Sequence, residues 1–108
     1  MEGLELVSFN IISNVGTAKS MVMEAMKESR TGNFKEAELL IEQANQYLVV
    51  GEKEHFKVIT QEAKEKNVEL TLLFMHAEDQ LMSTVTLRDI ALEMMHMNQM
   101  IYELKASI

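Results

Sequence analysis

The chain of 108 residues contains no cysteine, no proline and no tryptophan, and it has only four glycines. The absence of cysteine excludes a disulfide framework, a thiolate metal site and cysteine catalysis. Without proline, and with so few glycines, little in the chain interrupts a helix. What is present is rich in Ala, Leu, Glu, Lys, Gln and Met, which are good helix formers. The composition therefore predicts an all-α protein, organised as one domain over residues 1–108.

The sequence also lacks features that several classes of protein require. A formal net charge of -7 opposes nucleic acid or anionic lipid as the main partner. No apolar run approaches the roughly 20 residues of a membrane span, and the N-terminal residues lack the basic flank of a signal peptide. There is no Walker-type phosphate loop, no dinucleotide fingerprint and no His-Glu-x-x-His zinc motif. We therefore expect a cytoplasmic protein that binds no nucleic acid, inserts into no membrane and binds no nucleotide.

Hydrophobic periodicity predicts two helices in the first half of the chain. The first runs from about Leu4 to Arg30, with apolar residues at a spacing of three and four. Gly32 suits the left-handed position that follows a helix C-terminus. The second helix runs from Asn33 to about Ile59 or beyond. Asn33 is its predicted N-cap, with Glu36 three residues later as in a capping box.

A third helix is predicted from about Val68 to Lys105, with a length on the order of 55 Å. The polar stretch Gln61–Asn67 is the predicted connection before it, and Asn67 is a candidate N-cap. Three rods joined by short connections predict an antiparallel up-down-up three-helix bundle.

The third helix carries two stripes at helical spacing. The first stripe contains Leu72, Met75, His76, Asp79, Met82, Ser83, Thr86, Ile90, Met97, Met100 and Leu104. The second contains Leu73, Phe74, Ala77, Leu81, Val85, Leu92, Met95 and Tyr102. Because apolar residues occupy more than one narrow stripe, we expect apolar surface left over for a partner or for self-association.

The stretch His76-Ala77-Glu78-Asp79-Gln80-Leu81-Met82 is the place to look for chemistry. His76 and Asp79 lie three residues apart on one helical face, where the pattern otherwise places Leu or Met. Burying either side chain between the helices of a bundle costs free energy unless the side chain is hydrogen-bonded, paired with a charge or used for function. An imidazole can act as nucleophile, base or metal ligand, although a histidine on an apolar face is more often a packed core residue. Ser83 and Thr86 are further polar residues on the same stripe.

Asp79 has no Lys or Arg three or four positions away. Three ways of satisfying its carboxylate remain open: it orients His76, it meets a basic side chain from another helix, or it meets its own copies on a symmetry axis with a shared cation. One His and one Asp are too few ligands for a metal-dependent hydrolase site within one subunit. Of the other histidines, His55 lies in a charged stretch and is predicted to be solvated. His96 lies among methionines and is predicted to be a packing or surface residue.

Taken together, these residues resemble the lactose/cellobiose-type IIA component of the bacterial sugar phosphotransferase system. In that family the site stretch commonly reads His-Ala-Gln-Asp-His-Leu-Met. The family also has Gly-x-Ala-Arg-Ser, Glu-Ala-Leu-Lys and Gly-Asp-Phe-x-x-Ala motifs. These resemble Gly16-Thr17-Ala18-Lys19-Ser20, Glu24-Ala25-Met26-Lys27 and Gly32-Asn33-Phe34 followed by Ala37. The order and spacing of the motifs make the resemblance specific over essentially the whole chain.

The resemblance implies a phosphocarrier. His76 would accept a phosphoryl group from HPr, at Nε2, and pass it to a IIB component. IIB then phosphorylates a disaccharide of the cellobiose, chitobiose or lactose class during its import. The resemblance also implies a homotrimer in which Asp79 from three subunits binds one divalent cation on the axis. An oxygen-only site of this kind suits Mg²⁺.

This chain departs from the family pattern in the site stretch and in the middle of the second helix. Glu78 replaces the usual Gln, and a carboxylate would repel a phosphoryl group where an amide can donate to it. Gln80 replaces a His, and the alignment places Glu52 and His55 where the family often has His and Gln. Glu78 and Gln80 motivate an alternative function, a non-catalytic helical interaction or regulatory module that keeps the IIA scaffold.

Overall fold

The computed structural model describes residues 1–108 as three helices and no strands. They are α1 (Leu4–Arg30), α2 (Phe34–Glu65) and α3 (Leu72–Ser107). α1 and α3 run parallel, since Asn98 bonds Ser29 and Tyr102 bonds Arg30 near the C-termini of both helices. α2 runs antiparallel to both, and the molecule measures 63 × 19 × 18 Å. The prediction of an all-α up-down-up bundle is confirmed.

α1 is the central helix, and its predicted bounds are confirmed. Its buried residues recur every three or four positions: Leu4, Val7, Ser8, Ile11, Val15, Ala18, Val22, Ala25 and Ser29. Both other helices pack against this stripe, whereas α2 and α3 contact each other only sparsely. Burial of such a stripe is the main source of stability in a helical bundle. None of the three helices is long and apolar enough for a membrane crossing.

The turn between α1 and α2 is closed by Gly32 in the predicted left-handed conformation, with φ +88°. The Asn33 backbone N–H donates to the Glu28 carbonyl at 2.9 Å, as expected for a glycine-terminated helix. The predicted capping box is wrong, because the Asn33 side chain makes no cap and donates instead to the Glu28 carboxylate at 2.8 Å. Tyr102 of α3 lies against Gly32, where a Cβ atom would be 2.8 Å from the ring.

The connection between α2 and α3 differs from the prediction. α2 continues to Glu65, because its last turns consist of good helix formers whose side chains face solvent. α3 begins only at Leu72, and the N-cap is Thr71, whose hydroxyl accepts from the Phe74 N–H at 3.1 Å. The candidate N-cap Asn67 is therefore wrong, and its side chain accepts from Gln61 instead, at 3.2 Å.

The two stripes of α3 meet different surroundings. The second stripe supplies the buried Phe74, Ala77, Leu81 and Met95, which pack into the core. Every residue of the first stripe is exposed, and we call that stripe the outward face of α3. The fold therefore confirms the expectation of apolar surface left outside the bundle.

Candidate functional site

His76 lies in the second turn of α3, shortly after the Thr71 cap, and it is exposed. It sits on the outward face and not in the seam of the bundle. The prediction of a buried or seam position is wrong for the protomer, because the second stripe of α3 fills the core in its place. The imidazole is consequently open to an incoming partner.

Asp79 lies one helical turn after His76 on the same outward face and is also exposed. Its carboxylate is solvated in the protomer, so the cost of burying an unpaired charge does not arise there. No group of three or more His, Cys, Asp or Glu side chains that could hold a metal ion occurs within one protomer.

Glu78 points to the other side of α3 from His76 and meets α2. The Nδ1 atom of His55 lies 2.6 Å from both carboxylate oxygens of Glu78. A deprotonated carboxylate only accepts hydrogen bonds, so the Nδ1–H group of His55 is the donor in this contact. The side chains are 29% and 17% exposed, respectively, so the pair is half-buried.

The prediction that His55 is solvated is wrong. The charged neighbours Glu52, Lys53 and Glu54 suggested a fully polar turn, but Leu48, Gly51, His55 and Val58 follow the three-and-four spacing of the buried face of α2. That spacing was the available evidence for placing His55 against α3. Among the three histidines, His55 alone is held by a carboxylate.

The remaining polar residues near the motif have simpler surroundings. Gln80 is half-buried at the side of α3, and Ser83 and Thr86 are exposed on the outward face. His96 is exposed, as the prediction of a packing or surface residue allowed. Arg88 donates to the Asn45 side-chain oxygen at 3.1 Å, which gives α2 and α3 a second polar link.

Comparison with known proteins gives consistent matches. The profile of the family described as "PTS system, Lactose/Cellobiose specific IIA subunit" matches residues 6–99. The oligo-beta-mannoside-specific EIIA component of Bacillus subtilis is 35% identical over 91 residues, which cover 84% of this chain and 83% of that protein. The lactose-specific EIIA component of Staphylococcus epidermidis is 31% identical over 87 residues, covering 81% of this chain and 84% of that protein.

Two solved structures share the fold. The cellobiose-specific enzyme IIA of Bacillus anthracis superimposes with a TM-score of 0.91 at 27% identity, covering 95% of this chain and 94% of that one. PtcA from S. mutans superimposes with a TM-score of 0.88 at 32% identity, covering 92% and 97%. The similarity therefore extends over nearly the full bundle, including the helix that carries His76.

Proposed function

The chain belongs to the lactose/cellobiose-specific IIA family of the sugar phosphotransferase system, and from that membership we propose that it carries a phosphoryl group on His76. The donor is HPr and the acceptor is a IIB component. The observation that carries this proposal is an exposed histidine, at the position matching the family's motif, on a helix face that the fold leaves open. A carrier needs this arrangement, because the same ring must meet two successive partners.

The chemistry requires little beyond the imidazole. The unprotonated Nε2 of His76 attacks phosphorus in line with the breaking P–N bond of phosphorylated HPr. The donor ring leaves with the electron pair of that bond, and each ring keeps the proton on its other nitrogen. Because one phosphohistidine replaces another, the transfer is roughly isoenergetic. The protein's task is therefore to position the ring and to limit negative charge around the incoming phosphoryl oxygens.

We also propose that the middle of the outward face, along the line through Asp79 and Met97, is the contact surface of a homotrimer, with His76 at the edge of that surface and still accessible to partners. Met82, Met97 and Leu104 on this face are 67%, 59% and 64% exposed in the protomer, and water-exposed side chains of this size favour association. Three copies of Asp79 would then meet near the axis. Their carboxylate oxygens fit a hard divalent cation, with Mg²⁺ the proposed ion at one per trimer. When bound, the ion would supply positive charge that offsets the three carboxylates.

The relatives of this chain are named for different sugars. Their printed names specify lactose, cellobiose and oligo-beta-mannoside. We propose a disaccharide of the lactose, cellobiose or chitobiose class, taken up through partner components, and a cytoplasmic location for this carrier.

The alternative of a non-catalytic module was motivated by Glu78 and Gln80. In the structure the Glu78 carboxylate is bound by His55 on the α2 side of α3, away from the His76 ring. One of the two features that favoured the alternative is thus compatible with the proposed carrier.

The proposal is tested by phosphoryl uptake. The protein is mixed with phosphoenolpyruvate, enzyme I and HPr at neutral to mildly alkaline pH, which protects the phosphoramidate, and its intact mass is measured. We expect the wild type to gain one phosphate and His76→Ala to gain none. The matched control is His96→Ala, which removes another exposed histidine of α3 and should still gain one. A folded wild-type protein that gains no phosphate would contradict the proposal.

A further inference from the structure

The segment of α3 that carries His76 is acidic and has no basic side chain of its own. Glu78 and Asp79 follow His76 closely, and no Lys or Arg occurs on α3 before Arg88. The whole chain is already negative, with a formal net charge of -7. A phosphoryl group arriving at His76 adds further negative charge, so each nearby carboxylate hinders transfer unless a cation balances it.

His55 of α2 is the group that can balance Glu78. Its Nδ1 lies 2.6 Å from both carboxylate oxygens, and both side chains are largely withdrawn from water. Half-burial strengthens the interaction relative to an exposed ion pair, because solvent screens it less. Residues 76 and 78 project from opposite sides of an α-helix, so binding to His55 also keeps the carboxylate turned away from the His76 ring.

We propose that His55 is a positioning residue for phosphoryl transfer, which holds the Glu78 carboxylate on the α2 side of α3 and, by donating to it, offsets its charge toward the phosphoryl group at His76. This inference rests on the proposed carrier function. It assigns a role to His55 and Glu78, two positions at which the chain departs from the family pattern. In this proposal His55 compensates for the negative charge that Glu78 introduces.

A purely structural link between α2 and α3 would not need these charges. Arg88 and Asn45 already tie the two helices together at 3.1 Å, and two amides at positions 55 and 78 would form a comparable hydrogen bond. The two explanations differ in what each single substitution does. If the pair only links the helices, losing either partner has the same effect. If His55 masks Glu78, losing His55 leaves an unbalanced carboxylate, whereas losing Glu78 removes the charge that needed masking.

The test is single-turnover transfer from phosphorylated HPr at saturating concentration. We expect His55→Gln to slow transfer by about three- to tenfold at low salt, since an unscreened charge acts over this range. Glu78→Gln and the double variant H55Q/E78Q should both transfer at close to the wild-type rate. His55→Lys, which places a positive charge beside Glu78, should restore much of the rate. Lys57→Gln is the matched control, because it removes an exposed α2 cation that pairs with Glu54 and not with Glu78.

Salt gives a second readout that a structural link would not change. The defect of His55→Gln should shrink at about 0.5 M salt, where the Debye length falls to a few ångströms. Equal slowing by His55→Gln and Glu78→Gln, or a double variant as slow as His55→Gln, would overturn the inference. So would a wild-type rate for His55→Gln. Wild-type uptake is measured first in the same assay, and its absence would contradict the carrier function itself rather than the role of His55.

Discussion

We call the side of α3 that packs into the core its inward face. The inward and outward faces carry similar apolar side chains but meet different surroundings. On the inward face Phe74 and Leu81 are 6% and 4% exposed, whereas on the outward face Met82 and Met97 are 67% and 59% exposed. Burial of the first set removes apolar area from water and stabilises the protomer. Exposure of the second set contributes nothing to the protomer's stability. This difference is the basis of the proposal that the outward face makes contacts with further copies of the chain.

The polar residues of α3 follow the same division. Thr84 is the buried polar residue of the inward face, and its hydroxyl has no hydrogen-bond partner. The outward face holds His76 and Asp79, both exposed to partners. The proposed phosphoryl transfer and self-association both concern the outward face, whereas the inward face packs into the core. This separation can be tested by comparing substitutions on the two faces.

The largest expected effect on stability comes from truncating the inward face. Leu81→Ala should lower the free energy of unfolding by about 2–4 kcal/mol, because it leaves a cavity between α3 and α2 where Leu81 approaches Gly51. Met82→Ala, one residue later on the outward face, should change it by less than about 0.5 kcal/mol in the monomer. Urea unfolding followed by circular dichroism at low protein concentration measures both. Similar losses for the two variants would contradict the division between the faces.

A smaller effect is expected where the inward side of α3 reaches the turn between α1 and α2. Gly32→Ala should destabilise the protein by about 1–3 kcal/mol, since alanine is strained at φ +88° and its Cβ would meet the Tyr102 ring at 2.8 Å. The control is Gly16→Ala, at an exposed α1 position where an added Cβ has nothing within 4 Å. That substitution should raise stability by up to about 1 kcal/mol through helix propensity. Thermal unfolding of the two variants decides whether Tyr102 fixes the C-terminal part of α3.

The smallest expected effect concerns assembly through the outward face. Asp79→Asn should stabilise the metal-free trimer by on the order of 1 kcal/mol per subunit, because it removes repulsion between carboxylates near the axis. Sedimentation with and without EDTA should show that the wild type depends on divalent cations and the variant does not. Asp89→Asn is the control, since Asp89 pairs with Arg88 at 3.1 Å and lies away from the proposed axis. Equal responses to EDTA in all three proteins would argue against a shared cation at Asp79.

Much of the fold followed from local sequence. The bounds of α1 and the left-handed Gly32 were predictable, because the apolar spacing and the glycine act within a few residues of each other. The end of α2 was not, since the polar residues Gln61–Glu65 favour helix and solvent exposure at the same time. Periodicity also could not decide which stripe of α3 faces the core, because both stripes are apolar enough to be buried.

The site was predictable only in part. The motif singled out His76 and Asp79, but their exposure depends on which stripe packs against α1. The pairing of His55 with Glu78 depends on the register of α2 against α3, which no local pattern specifies. The three-and-four spacing through Leu48, Gly51 and Val58 could have placed His55 on the buried face of α2, whereas its charged neighbours indicated solvent.

The most direct test of the whole account is to locate the phosphate. After transfer from phosphorylated HPr, fragmentation of the intact chain by electron transfer can assign the modified histidine without losing the acid-labile group. The three histidines offer an internal comparison, because His76 lies on the outward face, His55 is bound to Glu78, and His96 is exposed further along α3. We predict a single phosphate on His76. A phosphate on His55 or His96, with His76 unmodified, would contradict the assignment of the outward face near Asp79 as the functional site.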